Sequence, residues 1–184
     1  MTVQHISMEE LEKGLEAILQ SPREDGRLEL IVRRPQVEAR EVISQGRLDL
    51  AAGLEGDNWQ ARGSTTTPDG SADPEAQVTL MNSRVIHLLT QSKDQWPLAG
   101  DQFYVDMDLS EDNLPAGTRI AIGSAVVEVS AKPHTGCKKF SERFGVDALK
   151  FISMTENKPL RMRGINARVV QSGEFKTGDL IRKI

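Results

Sequence analysis

Thr118-Arg119-Ile120-Ala121-Ile122-Gly123-Ser124-Ala125-Val126-Val127-Glu128-Val129-Ser130 holds two short runs rich in β-branched residues, separated by Gly-Ser. A two-residue link containing glycine predicts a β-hairpin, because glycine supplies the positive φ that tight hairpin turns need. Similar punctuation recurs on both sides. Upstream, Leu28 to Arg33 and Val37 to Ser44 read as strands joined through Arg34-Pro35, and Gln77 to Met81 and Phe103-Tyr104-Val105 as two more. Downstream, Ile165 to Val170 and Leu180 to Ile184 flank the turn residues Ser172-Gly173 and Gly178-Asp179. Many short strands with few helices predict a mostly β fold with added helices, a β-barrel.

The helices carry their own signals. Ser7-Met8-Glu9-Glu10 is a capping box, with Leu11, Leu15, Ile18 and Leu19 on one face after it and Ser21-Pro22 as the stop. Asn82 or Ser83 caps a helix through Val85, Ile86, Leu88 and Leu89, on which His87 reads as structural or exposed. Lys138 to Phe144 forms a short helix stopped by Gly145, and Asp147 caps another through Phe151 and Ile152. Leu54 to Trp59 reads as a loop, and Arg62 to Ala76, rich in Ser, Thr, Pro, Asp and Gly, as a surface loop. The 184 residues fit one domain, with residues 1–27 as a helical extension and 28–184 as the barrel.

Composition narrows the partners. A net charge of −4 argues against broad nucleic-acid binding, which leaves a basic footprint. No apolar run approaches the roughly 18 residues of a membrane helix, so no membrane association is expected. The N-terminus lacks a basic region followed by an apolar stretch, and the single cysteine suits a reducing compartment, so the expected location is cytoplasmic.

That cysteine is Cys137, set in Pro133-His134-Thr135-Gly136-Cys137-Lys138-Lys139-Phe140. Gly136 suggests a turn delivering the sulfur to a helix N-terminus, where unpaired N–H groups and the charges of Lys138, Lys139 and His134 favour thiolate. Thiolate attacks electrophiles, carries sulfur and binds soft metals; the alternative is an inert core cysteine. His134 and Cys137 can also be read as a Cys–His nucleophilic pair, although such enzymes usually draw the base from elsewhere in the fold. No G-x-S-x-G elbow, phosphate-binding glycine loop, dinucleotide fingerprint or zinc spacing is present.

Arginines form the second group. By the two-residue strand period Arg161 and Arg163 share a face, and Arg33 and Arg34 end another strand. Guanidinium forks suit phosphate and other oxyanions, while basic strand edges also simply discourage aggregation. The acidic pairs Asp106/Asp108 and Glu111/Asp112 read as a solvated face.

An ordered set of short motifs resembles the MOSC domain, the module named for the C-terminal region of molybdenum-cofactor sulfurases. The set comprises Gly53-Leu54-Glu55-Gly56-Asp57, Leu98-Ala99-Gly100-Asp101-Gln102, Ile122 to Val129, the cysteine block with Arg143-Phe144-Gly145, and Arg163-Gly164-Ile165-Asn166-Ala167-Arg168 followed by Gly173 and Gly178-Asp179. The resemblance implies a β-barrel of mixed strands whose cysteine, here Cys137, ligates the molybdenum of a pterin cofactor. It equally admits a sulfur carrier, in which Cys137 holds a persulfide received from a pyridoxal-phosphate cysteine desulfurase. Free-standing relatives reduce N-hydroxylated compounds with electrons from a redox partner. Arg163 and Asn166 lie in the matched tail, and they join Arg161, Arg33, Arg34 and His134 as residues expected to contact the cofactor. Two departures stand out: the relatives' Gly-Glu-Asn appears as Gly100-Asp101-Gln102, and a Ser/Thr/Pro loop replaces their His-Gly-Gly segment. They motivate a third reading, a cofactor-free barrel that binds a small anion or a partner.

Overall fold

The computed structural model describes residues 2–184 and leaves Met1 outside. Its strands, in chain order, are β1 (Asp25–Arg33), β2 (Glu41–Ile43), β3 (Gln45–Asp49), β4 (Gly53–Leu54), β5 (Val78–Asn82), β6 (Phe103–Asp106), β7 (Arg119–Ile122), β8 (Ala125–Val129), β9 (Ile165–Gln171), β10 (Gly173–Lys176) and β11 (Leu180–Lys183). The α-helices are α1 (Met8–Leu19), α2 (Trp59–Arg62), α3 (Ser83–Thr90), α4 (Lys138–Phe144) and α5 (Val146–Ser153).

Strands β1, β11, β7, β8, β9, β5 and β6 pair in that order, and β6 returns to β1, closing a seven-stranded barrel. The β5–β6 junction is parallel and the other six are antiparallel, so the mostly β barrel of mixed strands expected above is the observed fold. A parallel pair cannot be joined by a hairpin. Here the crossover runs through α3 and the 3-10 helix Lys93–Ala99. The hairpin of β7 and β8 forms with Ile122 opposite Ala125, as the Gly123-Ser124 link predicts. A separate three-stranded sheet, β10-β3-β4, lies against one end, where the Phe175 ring meets Phe103 edge-on at 5.2 Å.

Strand alternation divides the apolar residues between two cores. Phe103 and Val105 enter the barrel with Val78, Leu80, Val127, Val129, Ile165 and Ala167. Tyr104 and Met81 point outward, into a layer that holds Leu11, Ile18, Val85, Ile86, Phe140, Phe144 and Phe151. Leu28 and Ile31 both enter the barrel despite their odd spacing, because a bulge between Leu28 and Leu30 shifts the register against β6. The helical layer is pinned by the Tyr104 hydroxyl, which donates to the Trp96 carbonyl at 2.7 Å. The capping box on α1 is present in both directions, Ser7 receiving the Glu10 N–H and Glu10 accepting from the Ser7 N–H. No helix among the described residues is long and apolar enough to cross a membrane.

Several local expectations need correction. Val37 to Ser44 is not one strand: Gln36 to Ala39 closes a turn with Glu38 at φ 64°, Val37 is exposed, and β2 covers only Glu41–Ile43. Leu54 to Trp59 is not a plain loop, since Leu54 ends β4 and the buried Trp59 opens α2. Gly145, rather than Asp147, caps α5; the Asp147 carboxylate instead accepts the Met8 N–H at 3.2 Å and ties α5 to α1. Arg161 and Arg163 do not share a strand face. Arg161 ends a 3-10 helix at φ 48°, the Gly164 N–H closes a turn onto its carbonyl, and β9 begins only at Ile165.

Gly164 is required where it stands. At φ 110°, a Cβ there would lie 2.3 Å from the Leu80 carbonyl oxygen, and backbone cannot move aside as a side-chain tip can. We expect Gly164→Ala to lower unfolding free energy by about 2 kcal/mol or more in denaturant titrations. A shift under about 0.5 kcal/mol would show that the turn tolerates a side chain.

Candidate functional site

The Ser130–Lys138 segment that links β8 to α4 runs across the outer face of the barrel wall, where β5, β6 and β9 adjoin. Thr79 on β5 is the register partner of Asn166 on β9. Asn166 is buried and donates to the carbonyls of Lys132 and Pro133 at 3.1 and 3.2 Å, fixing the start of the segment to the wall. Its far end is fixed by packing. Gly136 lies so close to α5 that a Cβ would meet Leu149 at 2.5 Å. Cys137 then becomes the N-cap of α4, its carbonyl accepting from the Phe140 and Ser141 N–H groups. Its side chain is exposed, so the inert core reading does not hold.

Cys137 borders a cavity of about 200 Å³ lined by Arg34, Arg40, Arg62, Arg143, Arg163 and Lys139, with Thr79, His134, Phe140 and the Ala99-Gly100 backbone. Carboxylates answer only part of that charge. Asp57 holds Arg34 in a bidentate pair at 2.9 Å, Asp101 holds Arg163 at 2.6 Å, and Glu38 reaches Lys139 at 2.7 Å and Arg143 at 3.2 Å. Arg40 donates only to the adjacent Ala39 carbonyl, and Arg62 has no side-chain hydrogen bond among the described residues. The Nε atoms of Arg40 and Arg163 are buried without a partner. Burial, then the charges of Arg143 and Arg34, push Arg40 below its ordinary value. Burial, then Arg34, do the same to Arg62. Crowded guanidinium groups with donors to spare, Arg40 partly buried and Arg62 exposed, are a set of groups that can receive an oxyanion.

Beneath the cavity sits Asp101, with no exposed side-chain surface. One carboxylate oxygen lies 2.8 Å from His134 Nε2 and the other 2.6 Å from Arg163 Nη1. Arg163 also donates to the Ala99 carbonyl at 3.0 Å and lies over the Phe140 ring, 5.3 Å from its centre. Burial alone would raise the Asp101 pKa; the charge of Arg163, then His134, and the hydrogen bonds from both bring it down to about 2. Burial first, then the Arg163 charge, push His134 below its ordinary range, against the pull of Asp101.

Other expected residues scatter. His134 Nε2 is engaged by Asp101, and no hydrogen bond joins His134 to Cys137 among the described residues. Arg161 donates to the Leu114 carbonyl at 2.6 Å and lines a second cavity of about 430 Å³ with Lys158, Ile152, Met162 and Ile165. His134 and Arg163 belong to the walls of both cavities. Arg33 pairs with Glu41 at 2.7 Å and lines neither. Arg40 and Arg62 come from separate segments and carry no local signal in the sequence, whereas Arg143 stands in the matched motif Arg143-Phe144-Gly145 without being marked there as a contact.

Among the described residues no group of three or more His, Cys, Asp or Glu side chains is placed to hold a metal. A metal bound at Cys137 must therefore bring most of its ligands with it. A pterin dithiolene does so, and its phosphate suits Arg40 and Arg62, so the residues present fit that group.

The comparisons agree with the barrel. The family profile for the MOSC domain matches residues 67–182, and the chain belongs to the MOSC domain family. Among solved structures it is similar to the YuaD protein of Bacillus subtilis, at 16% identity and a TM-score of 0.65 over 85% of this chain and 94% of that one. It is also similar to YiiM of Escherichia coli, at 17% identity and TM-score 0.55 over 86% and 69%. For YiiM of Geobacillus stearothermophilus the values are 15% and 0.59 over 86% and 75%. At these identities the likeness shows the fold. No curated protein matches the chain.

The Asp101 pair sets an acid limit. Its folded pKa, about 2, lies below the ordinary 3.8, so its stabilising contribution is complete above pH 3.8 and is lost as pH falls toward 2. His134 is lowered from 6.5, so its unfolded form takes up protons first and acidification below 6.5 costs further stability. We expect Asp101→Asn to cost about 3 kcal/mol at neutral pH and to flatten the acid limb of a stability–pH curve. An unchanged acid limb would show that the pair carries no such linkage.

Proposed function

We propose that this protein binds a molybdenum–pterin cofactor, with Cys137 as the protein's ligand to the metal and the arginine cavity as the seat of the cofactor's phosphate. The observation that supports the reading most is that Arg40 and Arg62, which have no carboxylate partner among the described residues, line one cavity with the exposed thiol. Arg40 and Arg62 would take the phosphate oxygens, and Arg163, held by Asp101, would face the space between phosphate and thiol. Asn166 would act indirectly, by holding the segment that carries Cys137. When bound, such a centre supplies oxygen-atom transfer, the chemistry that reduces N-hydroxylated compounds. The electrons would come from a separate redox protein, and the reading places the protein in the cytoplasm.

The exposure of Cys137 favours a second reading, sulfur carriage. In it the Cys137 thiolate attacks the terminal sulfur of a persulfide on a pyridoxal-phosphate cysteine desulfurase. A new S–S bond forms on Cys137 and the partner's cysteine leaves as thiolate. In a third reading the cavity takes a small anion or an acidic partner without any cofactor.

One experiment separates the three: expression in a host that makes the cofactor, followed by metal and pterin analysis of wild type and Cys137→Ala. Near-stoichiometric molybdenum and pterin in the wild type, with the metal lost from the variant, is the expected result. Absence of metal, with a persulfide on Cys137 after incubation with a desulfurase, would replace the first reading with the second. Neither metal nor persulfide would leave the anion-binding barrel.

A further inference from the structure

We propose that Asp101 is a positioning residue that fixes His134 as the Nε2–H tautomer, so that Nδ1 accepts a hydrogen bond from the ligand and selects an oxyanion carrying its own O–H or N–H donor. The proposal deepens the reading of the arginine cavity as an oxyanion receptor and rests on that part of it.

An ionised carboxylate only accepts hydrogen bonds, and that of Asp101 lies 2.8 Å from His134 Nε2, so the proton on that contact belongs to the ring. The second carboxylate oxygen is taken by Arg163 at 2.6 Å, so the carboxylate is held in place from both sides. A neutral imidazole with its proton on Nε2 has a lone pair on Nδ1. Burial first, and then the guanidinium of Arg163 beside the ring, disfavour a second ring proton, which is the direction in which His134 is shifted.

Orientation supplies the second half. The ring turns its Cδ2 toward Gly164, near enough to lie 3.3 Å from a Cβ built there, and Nδ1 lies across the ring from that contact. Nδ1 has no protein hydrogen-bond partner, yet it is not among the sealed, unpartnered polar atoms of the described residues. It is therefore open, and His134 walls the two cavities into which it can open.

In the arginine cavity, one of the two that His134 walls, the proposal sets the Nδ1 lone pair as an acceptor among the guanidinium donors. An oxyanion that only accepts satisfies the guanidinium groups but sets its oxygen against the Nδ1 lone pair. One that bears a donor satisfies both. Sites built to pair with a ligand hydrogen reject analogues that lack it, because the ligand covers the acceptor without matching it.

Inorganic phosphate, which keeps an O–H near neutral pH, and sulfate, which does not, are the probes. Long-range proton–nitrogen correlation spectra of the ¹⁵N-histidine protein should show a pyridine-type Nδ1 and a pyrrole-type Nε2 for His134. Calorimetry should show phosphate binding at least about tenfold more tightly than sulfate. Arg62→Ala should weaken both ions and keep the ratio, whereas Asp101→Asn should mix the tautomers and bring the ratio near unity. Equal affinity for the two ions, or a wild-type ring protonated at Nδ1, overturns the proposal while leaving the oxyanion receptor standing. Binding of neither ion at millimolar concentration overturns both. The wild-type measurements decide the matter even if Asp101→Asn fails to fold.

Discussion

A carboxylate with no solvent contact organises the functional face of this protein. Asp101 sits where the crossover from β5 meets the start of β6, and it binds a residue from each of two other connections: His134 from the segment after β8 and Arg163 from the turn before β9. Neither connection has regular structure at these positions, and they share few backbone hydrogen bonds. An isolated buried charge would be costly, so the carboxylate is tolerable only with both partners in place. The requirement is mutual, since Arg163 without Asp101 would be one more unpaired guanidinium in a cavity already crowded with them. Folding of this face is thus tied to bringing together three distant stretches of chain.

The same economy of anions explains the electrostatics of the cavity. Arg34 is neutralised by a buried bidentate partner, and Glu38 serves both Lys139 and Arg143 from the rim. Arg40, partly buried, and Arg62, exposed, have no carboxylate partner among the described residues and lie close to other positive groups. A protein selected for stability alone would replace or pair them. Retaining them keeps a repulsion that an anion bound there would relieve, so in the proposed reading affinity for the anion and instability of the cavity without it have one origin.

How far the sequence could be read depended on whether a feature was local. The β7–β8 hairpin, the α1 capping box and the α4 stop at Gly145 are set by adjacent residues, and all are found where expected. Cys137 was likewise legible, because its neighbours already looked unlike those of a core cysteine. The failure over Arg161 and Arg163 came from extending strand periodicity back across Gly164 to Leu160, although Gly164 and the preceding Lys158-Pro159 signal a turn. Asp101 was visible only as a departure from a family motif, with no hint of a charge partner. Arg40 and Arg62 were invisible, since nothing local marks an arginine that lacks a partner; that property emerges only when distant segments converge.

The parallel junction between β5 and β6 has a wider consequence. In an all-antiparallel ring, hairpins of two to five residues could have joined every neighbour, leaving little material outside the wall. One parallel pair obliges the chain to travel the length of the barrel before it re-enters the sheet. That excursion carries Trp96, which anchors Tyr104, and ends on Ala99, Gly100 and Asp101. The chemistry of the outer face is therefore written on an overhang imposed by strand direction. Changes in that overhang can reshape the outer face while the sealed interior of the barrel stays as it is.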